Sequence, residues 1–136
     1  MGVHIKNSAI PCKGVLRNYL RFRMLAKWNC DISYSSFIGK NLHMPHPIGI
    51  VIGDGVVIHD DVTIFQNVTL GSHGKNSKDL KYPTIGKSVK IYAGAVIIGG
   101  VSIGEGAVIG ANSVVNSNVP PFSVIVGVPG RIVAPK

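Results

Sequence analysis

An apolar residue returns every six positions through most of this chain. The leading positions form two series: Ile52, Ile58, Ile64 and Leu70, then Ile85, Ile91, Ile97, Ile103, Ile109 and Val115. A small or β-branched residue follows most of them four positions later: Val56, Val62, Val68, Val89, Ala95, Val101, Ala107, Ser113 and Val119. A period of six matches neither a helix nor an alternating strand. It predicts a β-solenoid of short strands and turns, with the leading residues stacked inward and the second set filling the corners.

The repeat weakens at its start and is interrupted once. A fainter copy runs through Ile32, Ile38, Met44 and Ile50, two residues out of register with Ile52. The polar, turn-rich segment SHGKNSKDLKYPT separates the two strong series. Because a loop of this length inside a compact domain is usually functional or disordered, and this one breaks a regular repeat, we interpret loop 72–84 as functional. The solenoid domain is predicted to span residues 31–136.

The segment VLRNYLRFRMLAKW, from Val15 to Trp28, contains helix formers and no Gly or Pro. Residues 1–30 are therefore predicted to form a short helical cap. Two interpretations of this helix remain open. It hides the open end of the solenoid core, or it presents a basic surface that gives a weak association with membranes or anionic substrates.

Composition and charge narrow the class of protein. The chain has 136 residues, 46% of them hydrophobic, which is enough for one domain with a core. No apolar run is long enough for a membrane helix, and the N-terminus lacks a signal-peptide core, so a cytoplasmic protein is expected.

The net charge of +8 favours anionic partners. Without a nucleic-acid motif, a phosphorylated small molecule is favoured over nucleic acid. Cys12 and Cys30 lack metal-ligand spacing, so free thiols and no metal site are expected.

The stretch NLHMPHPIGIVIGDGVVI holds two histidines, His43 and His46, just before the strong repeat. A base for chemistry and a pair of turn residues at the edge of the apolar stack are both consistent with this pattern. The residues alone do not decide between the two interpretations.

The hexads, the interrupting loop and the ending NVPPFSVIVGVPGRIV resemble the hexapeptide-repeat acyltransferases. Within these, CDISYSSFIGKNLHMPHPIGIVIG and VTLGSHGK resemble the catalytic domain of serine acetyltransferases, in which the second motif reads VTLGGTGK. The resemblance implies an all-β fold, a left-handed parallel β-helix of triangular section. It also implies a homotrimer that binds acetyl-CoA in the groove between neighbouring solenoids.

The resemblance further implies that His46 is a general base and that Asp31 orients it. Acetyl transfer to an alcohol needs a base, and an imidazole both accepts and releases a proton near neutral pH. A carboxylate on the other ring nitrogen fixes the tautomer. The fifteen residues between Asp31 and His46 amount to nearly one coil, so the two could meet about 4.8 Å apart, one strand layer from each other. His43 does not match the position of the base and is expected to be a surface residue.

The resemblance also implies which residues hold the acetyl donor. The positions that match the contacts of the pantetheine arm are Gly71, Ser72, Ala93, Gly94 and Ala111. Whether His73, in the loop beside them, also lines the donor groove is left open by the sequence. Arg131 or Lys136 would neutralise the phosphates.

Three positions depart from the serine acetyltransferase pattern. Pro45 replaces an acidic residue before the catalytic histidine, and Lys81 and Tyr82 replace the basic residue and histidine of RHP. The chain also lacks the long helical N-terminal domain of serine acetyltransferases, and in this shortened form it resembles the capsule and lipopolysaccharide O-acetyltransferases. The expected function is therefore an acetyl-CoA-dependent O-acetyltransferase of polysaccharide biosynthesis, with a glycan hydroxyl as acceptor. The alternative is a serine O-acetyltransferase of cysteine biosynthesis.

Overall fold

A computed structural model describes residues 13–74 and 80–135, which form one helix followed by a solenoid of short strands. Helix α1 spans Lys13–Trp28. The strands are β1 Asp31–Ile32, β2 Phe37–Ile38, β3 Val51–Ile52, β4 Val57–Ile58, β5 Thr63–Ile64, β6 Thr69–Gly71, β7 Thr84–Ile85, β8 Lys90–Ile91, β9 Val96–Ile98, β10 Ser102–Ile103, β11 Val108–Ile109, β12 Val114–Val115, β13 Ser123–Val126 and β14 Arg131–Pro135.

The strands stack into three sheets that form the sides of a triangular prism. Sheet 1 has the order β1-β3-β6-β9-β12, sheet 2 the order β10-β7-β4-β2 and sheet 3 the order β14-β13-β11-β8-β5. Successive strands along the chain lie in different sheets except for β13 and β14, which are also the antiparallel pair among the described strands; the other paired strands are parallel. A two-residue strand cannot bury itself, so each coil is stabilised by the coils above and below it.

The core consists of the two sets of residues that the six-residue period predicts. In sheet 1 the leading residue Ile52 pairs with Leu70, and Leu70 pairs in turn with Ile97. The leading residues of the strong repeat are at most 2% exposed, and the corner set from Val56 to Val119 is buried as well. The predicted stacking of leading residues and filling of corners is therefore confirmed.

The first coil is longer than those that follow, which explains the weak start of the repeat. Asp31 pairs with Val51 after 20 positions, whereas Val51 pairs with Thr69 after 18. The two extra residues lie in the turn between Met44 and Ile50. Ile50 is fully buried, but it occupies the corner position just before β3 and is not the leading residue of a strand. The expectation that Ile50 belongs to the leading series is therefore wrong.

The interrupting loop is inserted within a single coil. Thr69 pairs with Val96 after 27 positions, nine more than in a regular coil. The strands on either side, β6 and β7, keep their places in sheets 1 and 2. The insertion lies at a corner between two sheets, so no strand pairing is lost. The solenoid therefore accommodates the loop.

The solenoid ends with a change of direction. Strand β13 pairs with β11 in parallel and with β14 in antiparallel fashion. An exposed strand edge invites pairing with other chains, and a hairpin with a register shift between Val124 and Ile125 is one way to blunt it. The parallel stack therefore stops at β14.

Helix α1 lies at the opposite end and contacts the solenoid at β1. From Gly14 to Trp28 its residues are exposed except for Met24, which is half-buried. The helix therefore covers little of the core. Cys30, directly after it, is buried and not in a disulfide, whereas Cys12 lies outside the described residues. No helix in the described part of the chain has both the length and the apolar character needed to span a bilayer.

Truncation of a central stacked residue should destabilise the protein strongly. Ile97→Ala, at a side chain that is 0% exposed, is expected to lower the free energy of unfolding by about 2–5 kcal/mol because it leaves a cavity. Ile132→Ala, at a side chain that is 54% exposed, is the matched control and should cost far less. Urea unfolding monitored by circular dichroism measures both, and equal losses would contradict the stacked core.

Candidate active site

The edge where sheet 3 passes into sheet 1 contains His46. This edge, called the His46 edge below, comprises residues 45–49, 65–67, 92–94 and 110–112 in four successive coils. The turn at its start is held on both sides: His43 N–H donates to the carbonyl of Val62, and Asn67 N–H donates to the carbonyl of Ile48, both at 2.9 Å. His46 therefore projects from the extended turn of the first coil.

Glycine is required at the end of this turn. Gly49 has a φ of +66°, in the left-handed region, and a Cβ at this position would collide with the side-chain amide of Asn67 in the next coil. Gly49 N–H also donates to the carbonyl of Trp28. The close approach of three segments fixes the path of the chain after His46.

The two histidines occupy different environments. His43 forms a parallel bridge with Thr63, so its backbone belongs to the ladder of sheet 3. His46 lies in the turn, where its imidazole is exposed and makes no hydrogen bond or ion pair with the rest of the described chain. The ring of His46 is thus available to a substrate. Its role as the base remains a prediction.

Asp31 begins β1 and lies against the turn of His46. Its N–H donates to the carbonyl of Ile50 at 2.9 Å, and the neighbouring thiol of Cys30 donates to the carbonyl of Pro47 at 3.2 Å. The backbone before β1 therefore runs alongside the residues that follow His46. Asp31 and His46 both lie in the first coil, and the predicted meeting of their side chains remains a prediction.

The carboxylate of Asp31 is bound by Arg21 of α1. Arg21 Nε donates to Oδ1 at 2.9 Å, and a terminal nitrogen of the same guanidinium donates to Oδ2 at 2.7 Å. Hydrogen bonding to Asp31, and then attraction to its charge, raise the pKa of Arg21. No hydrogen bond joins Asp31 to His46 within the described residues. The predicted hydrogen bond between Asp31 and His46 is therefore not formed in this structure, and Arg21 is a partner of Asp31 that sequence analysis missed.

Gln66 was also missed, because nothing in its sequence context marks it. It lies on the His46 edge one coil further, where Gly94 N–H donates to its backbone carbonyl at 3.0 Å. Its side-chain oxygen, Oε1, is buried without a hydrogen-bond partner in the described structure. A buried acceptor left unsatisfied costs about 1–3 kcal/mol, and because this oxygen has almost no accessible surface, a donor from outside the chain does not reach it in this conformation.

The predicted donor-binding residues fall on two edges of the prism. Ala93, Gly94 and Ala111 lie on the His46 edge, with Asn112 N–H donating to the carbonyl of Ala93 at 2.9 Å. The others lie where sheet 1 passes into sheet 2, called the loop edge below, which comprises residues 71–74, 81 and 99–100. The structure therefore separates the two groups by the width of sheet 1.

At the loop edge the ends of the interrupting loop rest on two glycines. Gly99 N–H donates to the carbonyl of Gly71 at 2.9 Å, and the His73 ring lies so close to Gly99 that a Cβ there would collide with it. Ser72 Oγ accepts a hydrogen bond from Gly74 N–H at 3.3 Å. A Cβ at Gly100 would lie 2.8 Å from Cβ of Lys81. The loop is thus anchored at both ends by residues predicted to bind substrates.

Three further predicted residues have distinct surroundings. Pro45 is half-buried in the turn of His46, and Arg131 is exposed in β14, on sheet 3. Tyr82 packs against the core, and its ring covers the turn before β4: a Cβ at Gly53 or Gly55 would lie 2.7 or 2.5 Å from it. Lys136 lies outside the described residues. The described residues contain no group of His, Cys, Asp or Glu side chains that could hold a metal ion.

Parallel coils built from six-residue repeats, with an exposed histidine on one edge, are typical of a hexapeptide transferase domain. Residues 82–117 match the family described as bacterial transferase hexapeptide (six repeats). The serine acetyltransferase of Buchnera aphidicola subsp. Acyrthosiphon pisum is 47% identical over 122 residues, which cover 90% of this chain and 44% of that protein. The chain belongs to the hexapeptide-repeat transferases, and its relatives among them include serine acetyltransferases.

Solved structures agree with this assignment. The soybean serine acetyltransferase complexed with serine is 43% identical, with a TM-score of 0.82, over 88% of this chain and 49% of that one. The Brucella abortus enzyme in complex with coenzyme A is 38% identical, with a TM-score of 0.83, over 88% and 47%. The expected left-handed parallel β-helix is confirmed. The chain spans about half the length of the relatives it matches.

The comparisons contradict the expectation of a glycan acceptor in polysaccharide biosynthesis. The relatives at 44–47% identity are serine acetyltransferases, as are the solved structures. The expectation depended on three side chains, and one of them has a structural role. The Tyr82 ring fills the space over Gly53 and Gly55, so replacement of the family's histidine by tyrosine at this position does not require a sugar to pack on it.

Proposed function

We propose that this chain is the catalytic part of a serine O-acetyltransferase, which transfers the acetyl group of acetyl-CoA to the serine hydroxyl. The observation that carries the proposal is the identity of 47% to a serine acetyltransferase across 90% of the chain. The exposed imidazole of His46 adds a base of the kind that acetyl transfer to an alcohol needs.

In the proposed mechanism His46 first accepts a proton from the serine hydroxyl and then donates it to the thiolate of coenzyme A. Its unprotonated ring nitrogen accepts the proton of the serine hydroxyl as the oxygen attacks the thioester carbonyl. The tetrahedral intermediate then collapses, the carbon–sulfur bond breaks, and the imidazolium returns the proton to the departing thiolate. The products are O-acetylserine and coenzyme A, and the enzyme regains its starting state.

Asp31 has the proposed role of orienting His46. A carboxylate has about four lone-pair positions, so the two hydrogen bonds from Arg21 leave it able to accept another from an imidazole N–H. Such a bond would fix the tautomer and stabilise the imidazolium that forms during transfer. Arg21 would then tie α1 to the strand that carries Asp31.

We propose that acetyl-CoA lies along the His46 edge and meets the loop edge of a neighbouring subunit in a homotrimer. Small residues at Ala93, Gly94 and Ala111 leave the backbone accessible to the pantetheine arm, and Arg131 and Lys136 carry charges that suit the phosphates. Sheet 1 separates the two edges within one chain, so a second solenoid is the simplest way to unite them. Sedimentation showing only a monomer at micromolar concentration would contradict this assembly.

The acceptor site must satisfy both charges of serine. Burying an ammonium or a carboxylate without a partner costs several kcal/mol. Pro45, at the position where the family has an acidic residue, supplies no charge for the serine ammonium. Lys81, at the loop edge, is the candidate cation for the serine carboxylate, and Tyr82 lies next to it in the chain.

A transfer assay tests this function directly. With acetyl-CoA and L-serine the protein is expected to release free thiol and form O-acetylserine, seen by mass spectrometry, with a kcat/KM of about 10⁴ M⁻¹s⁻¹ or more. Ethanolamine lacks the carboxylate and 3-hydroxypropionate lacks the ammonium, so both should react far more slowly. Absence of O-acetylserine, or equal rates with all three alcohols, would overturn the proposal.

A further inference from the structure

Helix α1 carries a surface that the acetyl-transfer site does not use. Its large apolar side chains are exposed, with Val15 at 73% and Phe22 at 66%, and they are accompanied by Leu16, Tyr19, Leu20, Leu25 and Trp28. At 100° per residue, Val15, Tyr19, Phe22 and Ala26 share one face. Contiguous apolar surface of this kind marks a contact with a partner or a membrane.

The same helix is strongly basic. Its sequence KGVLRNYLRFRMLAKW contains five cations and no acidic residue. Arg21 is engaged by Asp31, whereas Arg17, Arg23 and Lys27 make no ion pair with the described residues. Arg23 lies over the ring of Tyr19, 6.0 Å from its centre, and Lys27 lies 5.1 Å from that of Trp28. The charges therefore lie beside the aromatic rings.

We propose that α1 lies flat on an anionic lipid bilayer and docks the solenoid to it. Apolar side chains that enter the acyl boundary, with cations at headgroup level, are what an interfacial helix requires. Lipid phosphates supply the negative charge that the helix lacks. A second copy of the helix would instead place cations against cations, which opposes association. The Arg21–Asp31 ion pair ties the helix to the first strand of the solenoid, beside the turn of His46.

Co-sedimentation with vesicles tests the proposal, because it measures binding whichever side chains enter the bilayer. The full chain is mixed with vesicles of phosphatidylcholine and phosphatidylglycerol in equal amounts, and with phosphatidylcholine alone. Only the anionic vesicles should carry the protein into the pellet, and high salt should release it. Each cation near an anionic surface contributes about fivefold to the partition coefficient, so R17Q/R23Q/K27Q should lower it about 10²-fold.

Matched variants distinguish docking by α1 from a non-specific attraction between the basic solenoid and the anionic vesicles. K40Q/K87Q/K90Q removes the same charge from the solenoid and should leave vesicle binding almost unchanged. V15S/F22S keeps the charge and should still weaken binding. Equal losses from the two triple variants, no protein in the pellet with anionic vesicles, or tighter binding to duplex DNA than to vesicles would overturn the proposal. So would a loss of oligomeric state in V15S/F22S, because a second copy would then cover the helix. None of these readouts depends on acetyl transfer.

Discussion

Replacing His46 by alanine is expected to lower kcat for serine acetylation by about 10²–10⁴-fold. The imidazole is exposed and makes no hydrogen bond within the described chain, so its removal should leave no cavity and no unsatisfied partner. The melting temperature should therefore change little. Thiol release from acetyl-CoA at saturating serine measures kcat, and a thermal scan measures stability in the same preparation.

His43→Ala is the matched control for this prediction. His43 lies three residues earlier and is also exposed, but its backbone belongs to the ladder with Thr63. Loss of its ring should affect neither the ladder nor the proton transfer. If both alanine variants lose activity to the same extent, His46 has no special role and the assignment of the base is wrong.

Asp31→Asn is expected to lower kcat by a similar factor, about 10²–10⁴-fold, if the carboxylate orients His46. An asparagine can present its NH₂ group to the ring and so favour the wrong tautomer. The change also removes the ion pair with Arg21, an exposed interaction that contributes little to stability. The measurement is again kcat, together with the melting temperature.

Arg21→Met separates the two roles of Asp31. It removes the ion pair, keeps a side chain of similar length and leaves the carboxylate free to contact His46. Activity should remain within a few-fold of the parent protein. Equal losses of kcat in Asp31→Asn and Arg21→Met would mean that Asp31 acts by holding α1, and would contradict the proposed pair with His46.

The sequence alone determined the core and the architecture. A solenoid stacks equivalent positions of successive coils, so the same residue type must return at a constant spacing, and that spacing is visible without any structure. The leading isoleucines and the corner residues were therefore predicted one by one. The hand of the helix was not visible in the period and depended on the resemblance. The expectation of a glycan acceptor was wrong because it depended on the residue types of Pro45, Lys81 and Tyr82, and the sequence does not show what these side chains contact.

Only the tertiary structure decided which long-range partners meet around the site. Two extra residues in the first coil move Ile50 from a leading position to a corner and extend the turn that carries His46. Arg21 binds Asp31, and Tyr82 covers Gly53 and Gly55, because coils that are separated in sequence come into register in space. A six-residue period specifies which side chains point inward. It contains no information on exposed side chains, whose partners depend on how each turn and the helix pack.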